Sequence, residues 1–135
     1  MARFLGIDYG LRRVGLALSD EREFMAFPYG VLDIGGLMPD DIKQRIGDIC
    51  KKEGVEGIIV GIPRGLASMQ DTEMTDHALR FVDTLKALQI PIQTEDEFLS
   101  SKEASHSKTP KALIDASAAA LILQSFLERR RDMIK

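Results

Sequence analysis

The stretch FLGIDYGLRRVGLALS, residues 4–19, decides how this chain is read. Phe4, Leu5 and Ile7 form an apolar run that ends on Asp8, and Tyr9-Gly10-Leu11-Arg12 carries turn residues. Val14, Leu16 and Leu18 then alternate with Arg13, Gly15, Ala17 and Ser19. A period of two on either side of a turn predicts a hairpin of strands over 3–8 and 13–19. The second strand has one greasy face and one face of small residues. Asp8 stands out, because a carboxylate at the end of a core strand needs a reason.

Working outward, FPYGVLDI at 27–34 predicts a third strand, with Pro28 marking an exposed edge or an irregular start. The period then changes. Pro39-Asp40 opens a helix with Ile42, Ile46, Ile49 and Cys50 on one stripe, and Glu53-Gly54 closes it. EGIIVGI at 56–62 is nearly all apolar, the mark of a strand covered on both faces. Residues 63–69 read as a loop. A helix over 71–89 carries Met74, Ala78, Phe81, Val82, Leu85 and Leu88 at helical spacing. IPIQTEDE at 90–97 is a strand that ends in acids, and the serine-rich 100–111 reads as a polar loop. Thr109-Pro110 caps a last helix over about 110–131. The order β-β-β-α-β-α-β-α predicts an α/β fold, a mixed five-stranded sheet with helices on its faces. Residues 1–135 show no repeat or linker and read as a single domain.

An apolar fraction of 44% fits a globular core rather than disorder. No run has membrane-spanning length, and the N-terminus enters a strand without a signal-peptide layout. With Cys50 as the single cysteine, the expected compartment is a reducing cytoplasm, with no membrane partner. The net charge of −3 argues against binding nucleic acid by overall positive field, though not against local basic patches.

Acids sit at three places where they are costly or unexpected. Asp8 ends the first strand and the 95–97 cluster ends the fifth. Asp115 lies inside ALIDASAAALILQSFL with Ala112, Ala118 and Ala119 as its helical neighbours. A carboxylate on such a small, apolar face is expensive without a partner. Strand one runs parallel to strands four and five in this topology, so Asp8 and the 95–97 acids gather at one sheet end. A closing helix across the sheet can deliver Asp115 there. Carboxylates that converge call for a divalent cation, and hard oxygen donors suit Mg²⁺ or Mn²⁺. Two such ions about 3.5–4 Å apart serve phosphodiester hydrolysis.

Four segments, GIDYGLRRVGLALSD (6–20), IIVGIP (58–63), DEFLSSKEA (96–104) and DASAAALILQSFL (115–127), resemble the YqgF family in order and spacing, over essentially the whole chain. These are Holliday-junction-resolvase-like nucleases, also called pre-16S rRNA nucleases. The resemblance implies an RNase H-like fold and a divalent-metal endonuclease of the bacterial cytoplasm that processes the 5′ end of pre-16S rRNA. By motif match, Asp8, Asp96, Glu97 and Asp115 carry over as metal ligands. Asp8, Glu97 and Asp115 carry the catalysis, and Glu97 is favoured within the acid pair. Glu95 falls outside the motif and reads as a solvated neighbour. The family usually places arginine after the acid pair, where this chain has Phe98; Arg64, in the loop after IIVGIP, is the candidate substitute.

Arg12 and Arg13 follow Asp8 and are the first candidates for contact with a phosphodiester backbone. Lys102, His106, Lys108 and Lys111 precede or open the last helix and are further candidates. Arg129, Arg130, Arg131 and Lys135 read as cations complementing a helix C-terminus. His77 reads as solvent-facing, without metal-ligand spacing. The leading expectation is an endonuclease acting on precursor rRNA. A junction resolvase acting on branched DNA would need a dimer; the sequence shows no clear dimer face, though Phe126 and Leu127 could take part in one, and the chain reads as a monomer or weak homodimer. A nucleotide-binding module of the actin-like or sugar-kinase type shares the GIDYG pattern but needs two such domains. A non-catalytic adaptor of the same fold is the remaining alternative.

Overall fold

The computed structural model describes residues 3–20, 25–63, 69–97 and 111–134. Side chains are described for these except 63, 69–74, 96–97, 111–115 and 131–134. Five strands, β1 (Arg3–Tyr9), β2 (Arg13–Ser19), β3 (Ala26–Asp33), β4 (Val55–Pro63) and β5 (Ile92–Glu97), form one sheet in the order β3-β2-β1-β4-β5. β1–β2 and β2–β3 pair antiparallel; β1–β4 and β4–β5 pair parallel. The helices are α1 (Pro39–Glu53), α2 (Met69–Leu85) and α3 (Lys111–Ile134). The predicted element order and mixed sheet are therefore present, with β1 at the centre.

Each face of the sheet has its own apolar layer, because alternate residues of a strand point to opposite sides. Leu5, Ile7, Val14, Leu16, Ile58, Val60 and Ile62 pack against Ile46 and Cys50 of α1 and Ala78, Phe81, Val82 and Leu85 of α2. Phe4, Ala17 and Ile59 pack against Ala119, Ile122, Leu123, Phe126 and Leu127 of α3. The small-residue face of β2 is thus the bed of α3. At Gly6 the approach is closest: a Cβ there would lie 2.7 Å from Leu123 Cβ and 3.0 Å from the Ala119 carbonyl oxygen. Ser19, 2% exposed, accepts the Phe4 N–H at 2.8 Å, and Gln124 Oε1 accepts the Ala26 N–H at 2.9 Å. Those two bonds satisfy polar groups at the end of the layer.

Pro28 lies on the outer strand β3, where a register shift opposite Leu16 and Ala17 interrupts the ladder. Proline removes a donor, so an edge with a bulge is where it is tolerated. The second helix ends earlier than the periodicity predicts. After Leu85 the chain tightens into a 3₁₀ turn over Lys86–Leu88, and Gln89 takes a left-handed φ of 62° before Pro91. β5 accordingly starts at Ile92 rather than 90. The 63–69 loop ends sooner than read, since α2 begins at Met69. Phe126 and Leu127, read as a possible dimer face, are 7% and 2% exposed and belong to the α3 layer. Helical periodicity marked them as apolar but could not tell a partner surface from the core.

Cys50 is 3% exposed, and burial pushes its thiol up from 9.0 to about 11. A raised thiol pKa means the folded state holds its proton longer than the unfolded chain does. The stabilisation is complete below pH 9.0 and is lost as pH rises through about 11. At pH 8 the native thiol is expected to resist a disulfide reagent and to react promptly once urea unfolds the chain. Equal rates in both states would show Cys50 to be accessible.

Candidate active site at the carboxyl end of the sheet

Asp8 occupies the last turn of pleat before β1 ends, partly exposed, with Leu5 and Ile7 fixing the strand beneath it in the core. Gly10 then makes the close turn into β2: a Cβ there would lie 2.6 Å from the Arg13 carbonyl oxygen. The Arg12 carbonyl accepts the Ile34 N–H at 2.9 Å, which ties the hairpin tip to the end of β3. Tyr9, on the opposite pleat, packs on Phe81 with ring centroids 4.7 Å apart, and burial raises its phenol pKa, so it stays neutral beside Asp8. Arg12 and Arg13 are exposed at this end of the sheet. Arg13 is two residues before Gly15, the partner of Asp8, and so has the pleat phase of Asp8.

The parallel registers place the acids of β5 relative to Asp8. Asp8 pairs with Gly61, and Gly61 with Glu95. Asp96 pairs with Ile62 and Glu97 with Pro63. Position 97 therefore shares the pleat phase of Asp8, and position 96 has the other phase, that of the α1 and α2 layer. The side chains of Asp96 and Glu97 lie outside the described set.

α3 runs antiparallel to β1 on the Asp8 face. Phe126 meets Phe4 edge-on at 5.3 Å between centroids, and Ala119 and Leu123 bracket Gly6. Two further strand residues advance roughly 6.6 Å, and an α-helix covers that rise in about four residues. The ladder thus brings the backbone of the 115–119 turn to the level of Asp8. The side chains of Asp115 and Lys111 are outside the described set, and Arg64, Phe98, Lys102, His106 and Lys108 lie outside the described residues altogether. Among the described residues no group of three or more His, Cys, Asp or Glu stands close enough to hold a metal ion. Asp8 is the one proposed acid ligand whose side chain is in that set.

Two sequence readings are corrected here. Glu95, read as solvated, is 7% exposed and pairs with Arg129. Arg129 and Arg130, read as cations for a helix terminus, have tertiary partners instead: Arg129 has Glu95, and the Arg130 guanidinium lies 5.0 Å from the Phe4 ring centroid. The signal for Glu95 was present in its spacing, two residues before Glu97 and hence on the same pleat. The signal for Arg129 was not, because it depends on where the end of α3 crosses the sheet. His77 is exposed, as read.

A parallel core flanked by an antiparallel hairpin, with an aspartate at the mouth of the central strand and a long closing helix, defines an RNase H-like domain. RuvC from T. thermophilus, solved in complex with a Holliday junction substrate, superposes with a TM-score of 0.64 at 16% identity, over 97% of this chain and 96% of that one. In sequence, residues 2–129 match the model of the RuvX family, described as Holliday junction resolvase. The chain belongs to this family, the one named YqgF above, and it is a family of nucleases. A relative named "Putative pre-16S rRNA nuclease" from Desulforudis audaxviator is 33% identical over 96% of each chain. Another of that name from Maridesulfovibrio salexigens is 35% identical over 94% of this chain and 98% of its own. No helix among the described residues is long and apolar enough to cross a membrane.

Proposed function

We propose that this chain is a single-domain, divalent-metal endonuclease of the cytoplasm that hydrolyses phosphodiester bonds in precursor 16S rRNA. The observation that carries the reading is the convergence at the end of β1. Asp8 is held there by a rigid core strand, while register and helix ladder bring positions 97 and 115 toward it from β5 and α3. Carboxylates from three elements would form an all-oxygen donor set that fits Mg²⁺ or Mn²⁺ and disfavours softer metals. Asp8, Glu97 and Asp115 would hold the ions; Asp96, in the other pleat phase, would not. Bound divalent ions supply charge compensation for phosphate and ease deprotonation of water.

The protein's own groups do the rest. The three acids would hold the cations relative to β1, and the partly buried, neutral Tyr9 packs on Phe81 behind Asp8. Arg12 and Arg13 extend from the hairpin tip to hold the substrate backbone, each as a contact that positions without reading sequence. Arg64, Lys102, Lys108 and Lys111 are further candidates for phosphate contact, from their place in the sequence. The rRNA assignment follows the names of the relatives, and the branched-DNA alternative follows the description of the family model. Phe126 and Leu127 are buried in the α3 layer and so offer no surface to a second copy.

The test is cleavage of labelled precursor 16S rRNA and of a four-way DNA junction, side by side, with and without Mn²⁺. Metal-dependent scission of the RNA with the junction intact is expected. Scission of the junction alone would transfer the assignment to DNA. Binding without scission of either would leave an adaptor.

A further inference from the structure

α3 covers β1, β2 and β3 but only grazes β4 and β5. Between its C-terminal half and those strands runs a groove of about 920 Å³, lined by Phe4, Gly57, Ile59, Gln93, Phe126 and Arg130. Apolar packing therefore does little to fix α3 against the β5 edge. An ion pair spans the gap instead: Arg129 reaches Glu95, whose side chain is 8% exposed against 64% for the arginine. Through Gly61, Glu95 stands level with Asp8 in the same pleat phase. Two strand spacings separate them, roughly 10 Å. It also lies two residues before Glu97 on the same strand. Released from its partner, this carboxylate would offer a divalent ion a competing oxygen donor beside the intended set.

We propose that Arg129 is a positioning residue: it withholds Glu95 from the cation site and fixes the end of β5, with Glu97, against the helix that carries Asp115. This rests on the metal-nuclease reading above. Arg129 touches no reacting atom, and its effect passes through Glu95.

Arg129→Met is expected to lower turnover about tenfold, the size of effect seen when a partner supporting a metal ligand is lost. Mn²⁺ binding, followed by calorimetry, should not weaken, because the freed carboxylate adds a donor. In the metal-free protein, hydrogen exchange at the amides of residues 93–97 should quicken as β5 loses its tie to α3. Arg129→Lys should keep near-wild-type turnover. The double variant Arg129→Met with Glu95→Gln should recover to within about threefold of wild type, because the competing carboxylate is gone, while exchange at residues 93–97 stays quick because the tie to α3 is still missing. Wild-type turnover and exchange in Arg129→Met would overturn the proposal, as would a double variant no faster than the single one. Should Arg129→Met not fold, the double variant decides: near-wild-type turnover supports the proposal, and a loss beyond about tenfold overturns it. A wild-type protein that neither binds Mn²⁺ nor cleaves is a separate outcome, which removes the metal-nuclease reading and the proposal with it.

Discussion

Replacing Asp8 by asparagine is expected to reduce cleavage at least about a thousandfold, equivalent to ~4 kcal/mol of lost transition-state stabilisation. The change is nearly isosteric, so the strand beneath it, held by Leu5 and Ile7 at 0% exposure, has no cause to repack. What disappears is the negative charge and one strong oxygen donor. Loss should appear in turnover and in Mn²⁺ affinity together, whereas a substrate-positioning arginine such as Arg13 would raise KM more than it lowers kcat. Cooperative unfolding and an unchanged far-ultraviolet spectrum would show that the fold persists. If hydrolysis by the asparagine variant matches wild type, Asp8 is not a ligand and the site must lie elsewhere.

The second large effect is structural. Gly6→Val is expected to destabilise the protein by about 3 kcal/mol, near the upper end of the usual cost of overpacking. The added Cβ would sit 2.7 Å from Leu123 Cβ, and the second obstacle, at 3.0 Å, is the backbone oxygen of Ala119. Side chains can rotate away; a helix carbonyl moves only with its helix. The valine must therefore lift α3 from β1, and α3 is the element whose 115–119 turn lies level with Asp8. Urea unfolding should show the lower midpoint, and cleavage should fall even where the variant is fully folded. Gly30→Val is the control: a Cβ there meets nothing within 4 Å on the outer strand. Equal midpoints for the two variants would mean that α3 does not press on Gly6.

Most of the architecture was legible because both periodicities are strong in this chain. The alternation of 13–19 gave β2 and both its faces, and the continuous run at 56–62 gave a strand covered on two sides. Proline and glycine marked the edge strand and the end of α1. Legibility failed where an outcome depends on distance through space. Leu85 and Leu88 continue one helical stripe, yet Gln89 and the approach to Pro91 turn the last part into 3₁₀ geometry. Phe126 and Leu127 look alike as interface or as core. Glu95 and Arg129 are 34 positions apart, and no local pattern in the sequence announces that they meet. Of the site, Asp8 was the clearest signal, since a core strand ending on a lone acid has few physical reasons. The preference for Glu97 over Asp96, carried in the sequence by the resemblance alone, gains a physical argument from pleat parity once the β4–β5 register is known.

That α3 lies upon β1 has a consequence for the order of synthesis. β1 is made before the helix that covers it, and β2 to β5, α1 and α2 are made in between. Until the ribosome has delivered that helix, Phe4, Ala17 and Ile59 face water and invite aggregation or a chaperone's grip. During the same interval the 115–119 turn has not yet come to the level of Asp8, so the proposed site is incomplete on a nascent chain.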